Sequence, residues 1–320
     1  MRPQAVAAMM EGMARWANPS SPHAEGRAAR RTLEDARARI AAALGWDGEV
    51  ILTGGASEAL AIALGGTDAV ATSVEHDAVL RVAGMDRVPV GRDGIVDLAA
   101  LPEGRRVAVQ AVNSETGVLQ PLDAVAARAR VLVADASQSA GKLPLPAADL
   151  IVVSAHKLGG PPGIGALLVR DLALLTPTGG QEQGYRGGTE NVPAALGFAA
   201  ALEAPRDWFA AVGSLRDRLD AAIRAGGGEV IADASPRIAT IAAYRMPGRS
   251  AAAQLMRLDS AGFAVSAGSA CSSGTLKTSH VLSAMGMDAK AAGEVIRVSF
   301  GWTTTAQEVD AFAAAWSAMA

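Results

Sequence analysis

Residues 131–138 read Val-Leu-Val-Ala-Asp-Ala-Ser-Gln, and residues 150–157 read Leu-Ile-Val-Val-Ser-Ala-His-Lys. Each segment is a short β-branched run that ends in a polar cluster, which is typical of a buried parallel strand where it reaches a ligand site. The first cluster supplies a carboxylate and an amide, and the second supplies a hydroxyl, an imidazole and an amine. These two segments predict both the fold class and the position of a site.

The groups at these two strand ends match the needs of pyridoxal phosphate (PLP). This cofactor requires an amine that condenses with its aldehyde, an acid for its pyridine nitrogen, and donors for its phenolic oxygen and phosphate. Lys157 and Asp135 are the candidate amine and acid. Taken singly, Lys157 reads equally well as a surface lysine and Asp135 as a capping residue, but together they favour the cofactor.

Strand-like and helical runs alternate through the first two thirds of the chain. This alternation predicts an α/β fold: a large PLP-binding domain with a mainly parallel sheet flanked by helices, over residues 1–204. After Pro205 the pattern changes, and we expect a smaller α+β C-terminal domain over residues 205–320. The first helix, over residues 3–16, is expected to be free to pack with the smaller domain. The strand-like runs of the large domain are residues 50–52, 69–72, 107–112, 131–133, 150–153 and 166–169.

Composition narrows the class of protein. The chain has 320 residues, is 50% hydrophobic and carries a net charge of −3, so it can bury a core but has no basic surface for nucleic acid. No apolar run approaches the roughly 20 residues that span a bilayer, so we expect no membrane partner. The single cysteine, Cys271, excludes an intrachain disulfide and a multi-cysteine zinc site. A cytoplasmic location is the expectation.

An anion site is predicted where the segment Thr53-Gly54-Gly55-Ala56-Ser57 leads from a strand into a helix. Free N–H groups and the helix dipole at such a start bind phosphate. The alternative is an ordinary turn capped by Ser57. The glycines after Lys157 also resemble the glycine-rich motif of dinucleotide-binding proteins. The match is weak, because Pro161 and Pro162 obstruct the helix that such a motif requires.

Cys271 and Arg297 are the candidate reactive residues of the second part. Lone cysteines are usually buried and inert, but small, polar and glycine-rich neighbours favour an exposed reactive thiol here. Arg297 interrupts a strand-like run and therefore needs a carboxylate, from a structural partner or from a substrate. His76 follows a further strand end, where a structural histidine is the alternative to a catalytic one.

The combination of motifs resembles the cysteine desulfurases of the NifS/IscS type, in the class V aminotransferase family of fold-type I PLP enzymes. The resemblance covers nearly the whole chain. Its motifs are Glu75-His76, Glu115-Thr116-Gly117, Asp135-Ala136-Ser137-Gln138, Ser154-Ala155-His156-Lys157, Arg186-Gly187-Gly188-Thr189-Glu190-Asn191, Gly268-Ser269-Ala270-Cys271 and Ile296-Arg297.

The resemblance implies a role for each matching residue. Lys157 would carry PLP, Asp135 would pair with its pyridine nitrogen, Gln138 would face its phenolic oxygen, and His76 would stack on the ring and transfer protons. The phosphate would be held by Ala56, Ser57, Ser154 and His156, and by Thr189 from the second subunit of a homodimer. Arg297 would bind the substrate carboxylate.

The reaction implied is the conversion of L-cysteine to L-alanine. Cys271 would attack the substrate sulfur and keep it as a persulfide, to be passed to an acceptor such as an iron–sulfur scaffold protein or a thiolation partner. Alternatives are a selenocysteine lyase or an aminotransferase on the same scaffold, a catalytically impaired PLP-fold scaffold protein, and a hydrolase that uses Cys271 and His280.

Three departures from the family pattern indicate a compact variant. An Asn-Ala-Thr-Thr-like segment usually precedes the residues that match Pro3, so part of the floor of the substrate pocket is expected to be missing or replaced. Ser114 stands where asparagine is usual, and a hydrogen bond to the phenolic oxygen is expected to weaken. Pro162 stands where lysine is common.

Overall fold

A seven-stranded sheet organises the larger part of the molecule. The computed structural model describes residues 1–268 and 278–319. The order across this sheet is β1-β7-β6-β5-β4-β2-β3. Its strands are β1 (Glu49–Thr53), β2 (Val70–Thr72), β3 (Arg87–Val88), β4 (Arg106–Gln110), β5 (Val131–Asp135), β6 (Leu150–Ser154) and β7 (Gly165–Val169).

The strand directions bring the functional ends together. Strands β3, β2, β4, β5 and β6 are parallel, while β7 is antiparallel to both β6 and β1. Strand β1 therefore runs parallel to β6, and both Thr53 and Ser154 pair with Gly165. The carboxyl ends of β1, β6, β5, β4 and β2 thus share one edge of the sheet. The predicted α/β class with a mainly parallel sheet is confirmed.

Helices cover both faces of this sheet. In β1 the side chains of Val50 and Leu52 join the core cluster on one face, with Leu33 of the second helix, and Ile51 joins the cluster on the other. Burial on both faces explains why the strands are continuous apolar runs. The helices are α1 (Pro3–Ala14), α2 (Ala24–Leu44), α3 (Ala56–Leu64), α4 (Asp77–Leu80), α5 (Leu122–Ala126), α6 (Val192–Glu203), α7 (Trp208–Ala225), α8 (Ala251–Ser260), α9 (His280–Ala284), α10 (Ala289–Ala292) and α11 (Ala306–Ser317).

A second sheet lies in the C-terminal third. It is antiparallel throughout, in the order β10-β11-β9-β8. Helices α7 and α11 pack on it through a separate core that includes Tyr244 and Trp316. Helix α11 begins with a capping box, in which Thr305 and Glu308 each accept the other's backbone N–H. The strands are β8 (Glu229–Val230), β9 (Ile241–Arg245), β10 (Ser266–Ala267) and β11 (Val295–Ser299).

Helix α1 touches both parts of the chain. A Cβ atom on Gly197 of α6 would lie 2.6 Å from Cγ of Met9, so this glycine permits the close packing of α1 on α6. The Arg2 guanidinium lies over the ring of Trp302 at 5.1 Å, and it donates to the carbonyl of Pro205 at 2.8 Å. Across the described part of the chain, we find no helix that is long and apolar enough to cross a membrane.

Candidate active site

The ends of β5 and β6 place the predicted acid and amine at one cavity. Asp135 is the last residue of β5 and is buried, and its Oδ1 accepts the N–H of Ser137 at 2.9 Å. Lys157 lies in a short 3-10 helix, Ala155–Leu158, that directly follows β6 and is capped by Gly159, whose φ of +90° is left-handed. Because β5 and β6 are hydrogen-bonded neighbours, Asp135 and Lys157 reach the same cavity of about 500 Å³.

This cavity collects most of the residues that the sequence predicted. It is lined by Ala56, Ser57, His76, Asp135, Gln138, Ser154, His156, Lys157 and Arg297, together with Ser114 and Pro162. Thr189 is exposed and is not among the residues that line the cavity of its own chain. Cys271 lies outside the described residues.

One end of the cavity is built to hold an anion. Helix α3 begins at Ala56, and the N-cap residue Gly55 offers no side-chain cap to its N–H groups. The φ of Gly55 is +138°, a backbone conformation that favours glycine. At the same end, Ser154 follows on the neighbouring part of the sheet, and its Oγ lies 2.8 Å from Nδ1 of His156. A helix start without a side-chain cap, a hydroxyl and an imidazole form a suitable donor set for a phosphate.

The environment of His156 favours the neutral form of its imidazole, which can donate one hydrogen bond. Burial, and then the charge of Lys157, lower the pKa of its imidazole below the usual value. The ring is therefore mostly uncharged at neutral pH.

His76 is held in a defined orientation. It is the N-cap residue of α4, and its Nδ1 accepts the N–H of Ala78 at 3.1 Å, so Nε2 carries the proton of the neutral ring. The turn before it is pinned at Val74, whose carbonyl accepts the side chains of Gln110 at 2.6 Å and Asn113 at 3.1 Å. This turn presents the imidazole to the cavity.

Glu75 is a buried acid to which the sequence assigned no role. It is fully buried, and its Oε1 accepts the Thr72 hydroxyl at 2.5 Å. Burial, with a smaller contribution from the charge of Asp135, raises the pKa of Glu75 to about 8. The carboxyl is therefore protonated at neutral pH. Its place in the Glu75-His76 motif could have marked Glu75 as a functional residue. Its burial could not be predicted, because burial depends on tertiary contacts that the sequence does not display.

Arg297 forms the opposite end of the cavity. Its guanidinium donates to the carbonyl of Ser114 at 3.1 Å and to Oγ of Ser266 at 3.0 Å. Burial lowers the pKa of Arg297, and the charge of Glu115 opposes that change. The contact with Ser114 uses its backbone, so the unusual serine side chain does not alter it. A half-buried cation here suits a substrate carboxylate.

Fold and cavity together define the class: an α/β enzyme that uses PLP. The donor set fits that cofactor, with a buried carboxylate, an amine beside it and an uncapped helix start for the phosphate.

The comparisons with known proteins give the family. A model of the family "Aminotransferase class-V" matches residues 1–312, and the chain belongs to this family. The chain is 37% identical to the IscS-like cysteine desulfurase of Mycobacterium tuberculosis, over 97% of this chain and 91% of that protein. It is 34% identical to a cysteine desulfurase of Cereibacter sphaeroides, over 97% and 90%. Among solved structures, a NifS-like protein from Rickettsia africae superposes with a TM-score of 0.90 at 26% identity, covering 100% of this chain and 96% of that one.

Proposed function

We propose that this protein is a PLP-dependent cysteine desulfurase that converts L-cysteine to L-alanine and captures the sulfur on Cys271. The observation that carries the proposal is the single cavity into which Asp135, Lys157 and Arg297 all project. This cavity combines an amine that can bind the cofactor, a partner for the pyridine nitrogen and a cation for the carboxylate of an amino acid. The names of the curated relatives support the same reaction.

When bound, PLP supplies an electron sink for the bonds of the substrate's α-carbon. Asp135 would hold the proton on the pyridine nitrogen and so keep that sink effective, and Gln138 would be the partner of the phenolic oxygen. The phosphate is assigned to Ala56, Ser57, Ser154 and His156. Lys157 would hold the cofactor between turnovers and, together with Nε2 of His76, would move protons at the substrate.

The sulfur is transferred by an exchange of bonds at one atom. The Sγ of Cys271, as a thiolate, attacks the sulfur of the substrate, so that an S–S bond forms while the carbon–sulfur bond breaks. The electron pair of the broken bond stays with the substrate carbon, which a proton then converts to the methyl group of alanine. Throughout, Arg297 holds the substrate carboxylate in place.

The finer assignments belong to the same proposal. We assign Thr189 to the phosphate site of a second copy of the chain, in a homodimer; its exposed position, outside its own cavity, supports this. Nε of Arg186 donates to Oε1 of Glu58 at 3.3 Å and to Oε2 at 3.2 Å. These contacts link α3, whose start is assigned to the phosphate, to the segment that carries Thr189. The persulfide is assigned to an acceptor such as an iron–sulfur scaffold protein or a thiolation partner. The location is assigned to the cytoplasm, and the two domains to residues 1–204 and 205–320.

The test is turnover of L-cysteine by the purified holoenzyme, with alanine and sulfide measured in the presence of a reducing thiol. Wild type is expected to form both products in equal amounts. Cys271→Ser is expected to keep the bound cofactor, seen by its absorption spectrum, and to lose sulfide release. Sulfide release by this variant at the wild-type rate would contradict the assignment of Cys271.

A further inference from the structure

Glu115 is a carboxylate at the substrate end of the cavity that the reaction described above does not use. It lines the cavity and is half-buried. Its negative charge acts on Arg297, where it opposes the effect of burial on the guanidinium pKa. Asp135 is assigned to the cofactor, whereas Glu115 lines the same cavity as Arg297 and its charge acts on that residue.

The backbone of Glu115 is fixed by the turn that contains it. Its N–H and that of Thr116 both donate to Oδ1 of Asn113 at 2.9 Å. Gly117 follows with a φ of +78°, and a Cβ atom there would lie 2.6 Å from the carbonyl oxygen of Ile241. Only glycine fits this position, where the turn packs directly against the backbone of Ile241.

The carboxylate itself is also held. The hydroxyl of Ser279 donates to Oε2 of Glu115 at 2.5 Å, and Ser279 is fully buried. A charge-assisted hydrogen bond from a fixed donor orients the carboxylate and resists its reorientation when a ligand enters. Glu115 is thus a rigid negative charge rather than a flexible one.

A rigid negative charge beside the carboxylate-binding arginine has a defined consequence for the choice of substrate. An amino acid whose carboxylate binds Arg297 places its side chain within the same cavity, in the field of Glu115. A neutral thiol tolerates this field. A second negative charge is repelled, and at a few ångströms in a partly buried site such repulsion changes affinity by about tenfold or more.

We propose that Glu115 is a specificity-determining residue that excludes amino acids with an anionic side chain, such as L-aspartate and L-cysteine sulfinate, in favour of the neutral side chain of L-cysteine. This inference rests on the proposed function, because it takes Arg297 as the site of the substrate carboxylate. Rejection by like charge is a common means of specificity where the favoured and rejected ligands have similar shapes.

The first test measures binding without turnover. L-asparagine and L-aspartate have nearly the same shape and differ in side-chain charge, so calorimetry with the holoenzyme isolates the charge effect. Wild type is expected to bind asparagine at least about tenfold more tightly than aspartate. Glu115→Gln, which keeps the shape and an acceptor for Ser279, is expected to bring the two affinities together, chiefly through tighter binding of aspartate.

Three further variants complete this test. Glu115→Asp keeps the charge and is expected to keep the preference for asparagine, and Glu115→Ala is a second neutral variant should the glutamine protein fold poorly. Glu103→Gln removes the same charge from an exposed position that does not line the cavity, and is expected to leave the preference unchanged. Equal affinities of wild type for the two amino acids would overturn the inference, as would a preference that survives in both neutral variants.

The second test compares alanine formation from L-cysteine and from L-cysteine sulfinate. In the sulfinate the carbon–sulfur bond breaks and sulfur leaves as sulfur dioxide, which water hydrates to sulfite. Glu115→Gln is expected to raise the ratio of kcat/KM for sulfinate over cysteine by about tenfold or more. An unchanged ratio with normal cysteine turnover would contradict the role of Glu115 alone. Absence of turnover in wild type would contradict the proposed function, while the binding test would still decide the role of Glu115.

Discussion

The Nε2 atom of His280 lies 2.8 Å from the backbone carbonyl oxygen of Glu75. A carbonyl only accepts hydrogen bonds, so Nε2 of His280 carries a proton. His280 is the first residue of α9, and Glu75 directly precedes the predicted stacking residue His76. The bond therefore ties the helix that follows the Cys271 segment in sequence to the turn that presents His76 to the cavity.

Removing this donor is expected to weaken both the fold and the reaction. His280→Ala leaves the Glu75 carbonyl without its partner, and the free energy of unfolding should fall by about 1–3 kcal/mol. The kcat for L-cysteine should fall because His76 loses part of its support. His280→Gln, whose amide can donate to the same carbonyl, should recover part of both losses. Denaturant unfolding and alanine formation measure them, and equal behaviour of the two variants would argue against the bond.

The buried acid Glu75 predicts a pH dependence of stability. Its pKa is raised from 4.5 to about 8 in the folded protein, so the folded state retains a proton that the unfolded state releases. The stability due to this proton is fully present below about pH 4.5 and is lost as the pH rises towards 8.

Glu75→Gln removes this titration while keeping a neutral side chain of the same shape. Between pH 5 and pH 8, wild type should lose stability relative to this variant at up to about 1.4 kcal/mol per pH unit. Chemical denaturation at several pH values measures the difference. Parallel stability curves for the two proteins would show that Glu75 is ionised in the folded state.

Gly55 is expected to be required at the phosphate end. Its φ of +138° is strained for any side chain, although nothing lies within 4 Å of an added Cβ. Gly55→Ala should therefore cost about 1–3 kcal/mol of stability and weaken PLP binding, because relaxation of the backbone moves the N–H groups of Ala56 and Ser57.

Gly66→Ala is the matched control for this change. Gly66 also has a positive φ, +70°, with nothing within 4 Å of an added Cβ, but it is not among the residues that line the cavity. This variant should lose stability without losing PLP affinity, as measured by absorption titration of the apoenzyme. A similar loss of affinity in both variants would assign the effect of Gly55 to general destabilisation.

Replacing the planar guanidinium of Arg297 is expected to lower the affinity for the substrate. Arg297→Lys keeps the charge but loses the paired donors that fit a carboxylate, so KM for L-cysteine should rise by about tenfold or more while PLP stays bound. Arg218→Lys, at an exposed ion pair with Asp310, should leave KM unchanged. A normal KM in Arg297→Lys would place the substrate carboxylate elsewhere.

Much of the fold followed from local patterns in the sequence. The apolar runs that end in Asp135 and Ser154 are buried strands, as predicted, because burial on both faces leaves a continuous apolar signature. The direction of β7 could not be predicted from the sequence. A strand that is buried on both faces has the same apolar pattern whether its pairing with β1 and β6 is parallel or antiparallel. The short strand β3 gave no recognisable run.

The sequence predicted which residues form the candidate site, but it did not predict the contacts between them. Residues at strand ends, such as Lys157, could be placed at one edge from topology alone. The hydrogen bond between Glu115 and Ser279 joins residues 164 positions apart, and the burial of Glu75 depends on neighbours from several elements. Such long-range contacts have no local signature. The domain boundary after residue 204 and the role of Thr189 across a dimer stay predictions.

Reduction of the holoenzyme with sodium borohydride, followed by peptide mass mapping, tests the central claim most directly. The chain has four lysines, Lys142, Lys157, Lys277 and Lys290, so the attachment site is readily assigned. We expect the reduced cofactor on the peptide that contains Lys157, and no attachment in Lys157→Ala. Attachment to another lysine, or a protein that binds no PLP, would contradict the account.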